Sequence, residues 1–374
     1  MTIDIDFADH QVRLGEAVRE LLSRRNTPEV IREVEAGGRG FSGEHWNEMA
    51  GLGWLGIDIP EQYGGAGAGF LDVYPLFEEL GRALVLGPYH DTVGVGANLV
   101  LELGTEQQKD AYLPGIVAGD CIMSLALLEA SGGFAADDVE LRADANSGGG
   151  HVLTGTKLLV GWALDATTII VPALSHEGIS LFLVEPDADG LSCAPLDNLP
   201  ADALFEVAFE GVAVGRDALL GSLGGGWEPL QAAMIRGAVL QAGTIVGAAR
   251  TVLEVTNQYA KDRVQFGIPI GKNQAVQYMV SDILIDLHRA DLLNRQAAFR
   301  IDRGQLHRRE AAISIAFAKQ ASRHLHRQAH EAHAGVAFID EHVLTLYSKH
   351  AKLWENHFGD ARHYRQMIAD VLAG

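Results

Sequence analysis

Arg263-Val264-Gln265-Phe266-Gly267-Ile268-Pro269-Ile270-Gly271, followed by Gln274, gathers a fixed cation, a carboxamide and a planar ring into one turn at a helix end. Arginine carries a permanent planar fork that matches phosphate oxygens. Gly267 and Gly271 allow close backbone approach, and Pro269 is expected to end the helix that carries Tyr259 to Arg263. The combination suits a polyanionic ligand with an aromatic end. A helix-loop-helix corner with a surface arginine uses the same residues, and the stretch alone does not separate the two.

Around it lies a chain of 374 residues, more than one core usually serves, so two or three domains are expected. The apolar share is 48% and no apolar run approaches the roughly 20 residues of a membrane span, so a soluble protein with no membrane partner is expected. Asp4 and Asp6 near the start replace the positive flank of a signal peptide, which leads to a cytoplasmic expectation. Cys121 and Cys193 are the only cysteines and are read as two reduced thiols. A net charge of −20 repels nucleic acid and anionic lipid, so any phosphate ligand needs a local cationic pocket.

Three textures follow one another along the chain. Residues 1–118 read as an N-terminal helical domain, with Val12, Ala17, Val18, Leu21 and Leu22 in a helical pattern and a glycine-rich loop from Pro60 to Gly67. Residues 119–224 read as a small β-barrel-like domain of short strands: Ile122 to Leu128, Val139 to Ala143, His151 to Leu153, Thr168 to Val171, Ile179 to Val184 and Leu204 to Phe209. Asn146 to Gly150 reads as a hairpin turn. Residues 225–374 read as a C-terminal bundle of about four long helices, which makes the fold class α+β.

That order, with its motifs, resembles the flavin-dependent acyl-CoA dehydrogenases. The resemblance covers nearly the whole chain. It runs through the Pro60 to Gly67 loop, Glu79-Leu80-Gly81-Arg82, Gly104-Thr105-Glu106-Gln107-Gln108 with Leu113-Pro114, Leu153-Thr154-Gly155-Thr156-Lys157, and Arg263 to Gly267 with Gln274. It implies FAD as cofactor, an acyl-CoA thioester as substrate and α,β-desaturation as the reaction.

The resemblance also nominates residues for the flavin. An Ala-x-Thr-Glu-Pro-like segment facing the ring corresponds to Ala126 to Ser131, with Leu128 in place of the threonine and Glu129 and Ser131 retained. Trp162, after Lys157 to Gly161, is placed to stack on the ring; an ordinary core tryptophan is the alternative. Arg263 and Gln265 resemble residues that reach across a subunit interface to a neighbour's pyrophosphate. Phe266 would pack beside the adenosine half, and Gln274 keeps a carboxamide behind Asn273. The diphosphate-binding Gln-x-His-Gly-Gly-x-Gly-Phe-like segment corresponds to His330 to Phe338, where Glu331 replaces the glutamine, Ala334 and Ala337 replace glycines, and Gly335 remains. A carboxylate about 5 Å from a diphosphate charge costs on the order of 3 kcal/mol at an effective dielectric near 20, roughly a hundredfold in affinity.

Desaturation needs a base for the α proton while hydride leaves the β carbon for the flavin, and the family uses a glutamate. Its usual turn corresponds to His357-Phe358-Gly359-Asp360, with phenylalanine at the base position. Between Glu228 and Glu254, where other members carry it, there is no carboxylate; Gly237 and Thr244 occupy the places where one is sought. Asp360 is the remaining candidate, a helix cap its alternative role. His326, His330 and His333 share one helical face beside Glu331, but their spacing departs from a helical zinc motif and no metal is assigned.

These departures imply a subunit that pairs with a catalytically complete paralogue, in a heterotetramer like those of bacterial acyl-CoA dehydrogenases acting on steroid side-chain thioesters. Two other readings stay open. One is a homomeric flavoenzyme using Asp360 or chemistry that needs no base; the other is a flavin-free acyl-CoA-binding or scaffold protein.

Overall fold

The structure is a computed structural model that describes residues 6–200, 202–305 and 308–373. Helices α1 (Asp9–Arg25), α2 (Pro28–Ala36), α3 (Gly43–Gly51), α4 (Phe70–Arg82), α5 (Ala97–Leu103) and α6 (Glu106–Ala118) precede the sheet. The sheet comprises β1 (Met123–Leu125), β2 (Arg142–Ala145), β3 (His151–Gly161), β4 (Thr168–Ser175), β5 (Gly178–Val184), β6 (Leu191–Pro195), β7 (Leu204–Val214) and β8 (Leu219–Leu220). After it come α7 (Trp227–Asp262), a hairpin of β9 (Val264–Gln265) and β10 (Ile268–Pro269), then α8 (Gln274–Asp302), α9 (Arg308–His333), α10 (Val343–Asn356) and α11 (Ala361–Ala373). The helices, sheet and helical bundle of the expected fold class are all present. The last of the long helices expected is divided by the turn at 357–360.

The chain packs as two units built from separated segments, one of Glu33–Gly69 and Leu86–Gly237, the other of Met1–Arg32, Phe70–Val85 and Ala238–Gly374. Residues 1–118 therefore contribute to both.

In the first unit the strands follow the order β6-β7-β3-β2-β4-β5-β8, with β1 parallel to β4. β2 and β3 are antiparallel across Asn146 to Gly150, where the Asn146 side-chain oxygen accepts the Gly148 and Gly150 N–H groups at 3.0 Å each. This is the local bonding that makes asparagine a turn former. The short edge strands β6 and β8 lack a strong alternating pattern and escape sequence reading. The Gly104 to Gln108 motif is a capping box: Thr105 Oγ1 accepts the Gln108 N–H at 3.2 Å, and Gln108 Oε1 accepts the Thr105 N–H at 2.9 Å.

The register of β3 against β7 shifts between Lys157 and Val160, and Leu159 takes φ +54°. This bulge turns the Leu158 N–H to the Leu128 carbonyl at 2.8 Å, drawing the 127–129 segment against β3. Lys157 lies fully buried, its Nζ donating to Glu129 Oε1 at 2.6 Å and to the Leu127 carbonyl at 3.3 Å.

In the second unit, α1 lies on α4 through the Arg19–Glu79 ion pair. α4 and α7 touch backbone to backbone. A Cβ on Gly81 would collide with the Thr244 carbonyl, and one on Gly247 with the Glu78 carbonyl. Arg250 joins α7 to Glu78 at 2.6 Å and to Asp291 of α8 at 2.9 Å. In the core, buried Asn294 donates to the Tyr74 hydroxyl at 3.0 Å and the Val239 carbonyl at 3.1 Å, while accepting from Ser314 at 2.9 Å. α7 is long and apolar enough to span a bilayer, with mean hydropathy 1.3 over its best window, but 89% of that window is buried in protein. Its apolarity is that of a core helix. Both cysteines are free thiols.

Candidate functional site

The opening motif folds as a hairpin, and here the structure corrects one expectation. α7 stops at Asp262, and Pro269 ends the second strand of the hairpin instead of the helix. Val264 pairs with Pro269 and Gln265 with Ile268, so Phe266 and Gly267 form a two-residue turn with φ +53° and +81°. Hairpins of this size favour positive φ at both turn residues, which glycine tolerates and a bulky aromatic does not. Phe266 is nevertheless held there with its side chain wholly exposed, at 102%. Gln265 donates to the neighbouring Val264 carbonyl at 2.8 Å, and Gln274, at the start of α8, donates to the Tyr278 hydroxyl at 2.7 Å. No hydrogen bond or ion pair engages the Arg263 guanidinium among the described residues, and the side chain is exposed.

The hairpin stands near the end of α9. Tyr259, whose carbonyl accepts the Arg263 N–H at 2.9 Å, stacks on His333 with ring centres 4.3 Å apart. Glu331 is tied to Arg327 at 3.0 Å, so an arginine offsets the carboxylate expected to repel a diphosphate. Ala334 adopts φ +55°, Ala337 is fully buried with its methyl inside the core, and Gly335 faces open space. A cavity of about 610 Å³ opens here, with Arg323, His330, Glu331, Gly335, Phe338 and Lys352 on its walls. Such a volume suits a small-molecule ligand.

His326, His330 and His333 of α9 are occupied locally. His326 and His333 each donate Nδ1–H to the carbonyl one turn back, Ser322 at 2.8 Å and Ala329 at 2.9 Å. His330 Nε2 lies 2.6 Å from Ser348 Oγ, and its ring lies 4.8 Å from Phe338. No group of three or more potential metal ligands forms among the described residues. Burial holds all three imidazoles below their ordinary pKa, His326 down to about 4.

The residues nominated in the sheet unit are differently placed. The Glu129 carboxylate accepts the Glu140 and Leu141 N–H groups at 3.0 Å each and pairs with Lys157. Burial pulls the Lys157 ammonium below its ordinary value, and Glu129 pulls it back. Trp162 is buried, its indole N–H 3.5 Å from the Gly40 carbonyl and its backbone N–H 2.7 Å from that of Ala203. Ser131 is exposed and accepts the Gly133 N–H at 3.3 Å. Glu129 and Trp162 thus have structural partners of their own.

At the turn after α10, Phe358 is buried at φ +56° and its carbonyl accepts the Tyr364 hydroxyl. Asp360 caps α11, accepting the His363 N–H at 2.7 Å. The Thr244 hydroxyl donates to the Phe77 carbonyl at 3.1 Å. Sequence reading passed over Lys319, whose Nζ meets the His357 carbonyl at 2.7 Å, that of Trp354 at 2.8 Å and Gln241 Oε1 at 3.1 Å. Burial pushes Lys319 down to about 7. Its signal was there: Lys319 continues the buried face of Ala312 and Ile315, where a lysine is out of place.

Residues 8–120 match the acyl-CoA dehydrogenase N-terminal domain and residues 224–373 the C-terminal domain. Mitochondrial isovaleryl-CoA dehydrogenase of Solanum tuberosum is 30% identical over 339 residues, covering 87% of this chain and 82% of that protein. Among solved structures, the ChsE4-ChsE5 complex from Mycobacterium tuberculosis is 26% identical at TM-score 0.92, covering 99% of both chains. A variant of the Tcur3481-Tcur3483 steroid ACAD is 28% identical at TM-score 0.88, covering 98% of both. With both terminal domains matched and relatives aligned along most of their length, the chain belongs to the acyl-CoA dehydrogenase family of flavin-dependent oxidoreductases.

Proposed function

We propose that this chain is one subunit of a heteromeric FAD-dependent acyl-CoA dehydrogenase acting on a steroid side-chain thioester. Its partner is a paralogous subunit that supplies the catalytic base, and this chain contributes to the partner's flavin site. The observation that carries the reading is the hairpin: among the described residues no hydrogen bond or ion pair engages the Arg263 guanidinium, and Phe266 is wholly exposed at a strained φ. Strain at an exposed aromatic persists where the side chain serves something outside its own fold.

The residues fit FAD unevenly. Arg263 and Gln265 on the hairpin, with the open backbone at Gly335 beside the cavity, suit a diphosphate and a flat base. Glu129 is already paired with Lys157, and the Trp162 indole N–H faces the Gly40 carbonyl, which leaves its ring face for a flavin. When bound, FAD supplies the acceptor for the hydride. Arg263 would hold phosphate oxygens, and Phe266 would cover the adenosine half. Phe358 is apolar, Asp360 caps α11 and the Thr244 hydroxyl is bonded to a carbonyl, so the reading takes the base from the partner. The heteromeric and steroid assignments draw on the two-component complexes among the similar structures.

The test is flavin content per chain, for this protein alone and co-purified with its paralogue. About one flavin per pair of unlike chains, and little for this chain alone, is expected. In the complex, Arg263→Ala should lose most of that flavin. One flavin per chain in the isolated protein, unaffected by Arg263→Ala, would overturn the proposal.

A further inference from the structure

Helix α8 carries large apolar residues on two opposite faces. Ile283, Leu287, Ala290, Ala297 and Ile301 are buried on the inner one. On the outer one Tyr278, Ile285 and Leu292 recur every seven residues, close to two full turns, and so form a single row. Ile285 stands about 200° around the helix from Leu287. All three members of the row face outward, at 60%, 45% and 56% exposure. A helix that packs by one face alone is polar on the other, and a row of large apolar side chains there marks a contact surface.

Charges flank the row on one side. Asp282 and Arg289 are both exposed, and neither makes a hydrogen bond or ion pair among the described residues. The spacing is symmetric about Ile285: Tyr278 precedes it by seven residues and Leu292 follows by seven, while Asp282 precedes by three and Arg289 follows by four. Turning a second copy of the helix end for end about a two-fold axis at Ile285 lays Tyr278 on the second copy's Leu292 and Ile285 on its own counterpart. Asp282 then lies beside the second copy's Arg289, and each of these contacts is made twice. A parallel pairing would set Asp282 against Asp282 and Arg289 against Arg289, which repel.

We infer that the outer face of α8 is a self-complementary seam that joins two copies of this chain antiparallel about Ile285. A seven-residue apolar repeat suits helices crossing at about 20°. This contact is distinct from the hairpin at 264–269. On the proposed function, unlike chains meet at the hairpin and like chains at α8, so the seam joins two unlike pairs into one particle.

Cross-linking with a short bis-maleimide tests the seam on the full chain, alone and in complex with its paralogue, in a Cys193→Ser background that removes the half-buried thiol. Ile285→Cys is expected to link a chain to an identical chain. Tyr278→Cys alone should not, since the two copies of that position stand about 21 Å apart along the seam, but co-expressed Tyr278→Cys and Leu292→Cys chains should link to each other. Asp282→Arg should weaken self-association on the order of tenfold, with two rim pairs lost per axis, and adding Arg289→Asp should restore it, as read by sedimentation. Absence of a like-chain link at Ile285→Cys, or an equal link between two Tyr278→Cys chains, would overturn the inference. A link from Ile285→Cys to the paralogue would overturn it too, while leaving the heteromeric reading intact. Like-chain links in a protein that forms no complex with the paralogue would support the seam and count against that reading.

Discussion

Lys157 and Glu129 show how one side chain's partner decides its role. The Glu129 carboxylate has two backbone N–H donors and an ammonium, all within a buried site, so its charge is fully satisfied without a ligand. Removing one member of a buried pair leaves the other uncompensated, at about 3–5 kcal/mol. Lys157→Met should therefore lower unfolding stability by about that amount in a denaturant titration. A loss under about 1 kcal/mol would mean that water reaches Glu129 and the pair is not a lock. The Glu129 position was legible from the motif around it. Its partner was not, because Lys157 falls on the inward face of β3 by ordinary alternation with His151 and Leu153, and its pairing with Glu129 is made by tertiary packing of the 127–129 segment, which no local pattern encodes. The same holds at Asp360, where the choice between cap and base is made by one N–H from His363.

At the scale of elements, the Glu79-Leu80-Gly81-Arg82 motif acquires a physical meaning. Gly81 of α4 meets the Thr244 carbonyl of α7, and Gly247 of α7 meets the Glu78 carbonyl, so the helices cross at backbone distance in both directions. Flanking this contact, Arg19 holds Glu79, Arg250 holds Glu78 and Arg82 holds Glu254. A methyl at either glycine must push the helices apart against those ion pairs, and overpacking of this kind costs about 1–3 kcal/mol or more. Gly247→Ala is expected to reach the upper end of that range, because the obstacle is backbone carbonyl and not a side chain able to move. Thermal unfolding reads this directly: a melting temperature within a degree of wild type would show that the helices separate freely. Long helices were the most legible part of the sequence, through their periodicity. The hairpin at 264–269 was read as a turn, since strands of two residues carry no period at all.

For the whole molecule, the order of helices, sheet and helices could be read along the chain, but the grouping into two interleaved units could not. Asn26 reaches the Ala83 carbonyl and the Leu71 N–H reaches Asp302, contacts set by tertiary packing that no local pattern encodes. The same packing buries His326 and His333 of α9, and this gives the molecule a predictable acid response. His326 titrates at about 4 in the fold and near 6.5 when unfolded, so between those values the unfolded chain binds more protons. Stability contributed by keeping His326 neutral is therefore complete above pH ~6.5 and lost as pH falls toward 4, to a total of about 3 kcal/mol. His330, His333 and His342 shift in the same direction, also through burial. Opposing this, a chain of formal charge −20 sheds self-repulsion as its carboxylates protonate. That opposing effect is shared by wild type and variant, so their difference isolates the imidazole. His326→Leu should lose stability at neutral pH through its Ser322 hydrogen bond, yet fall less steeply than wild type between pH 6.5 and 4. Urea unfolding at a series of pH values measures both slopes, and parallel curves would mean that His326 is already protonated, or already solvated, within the fold.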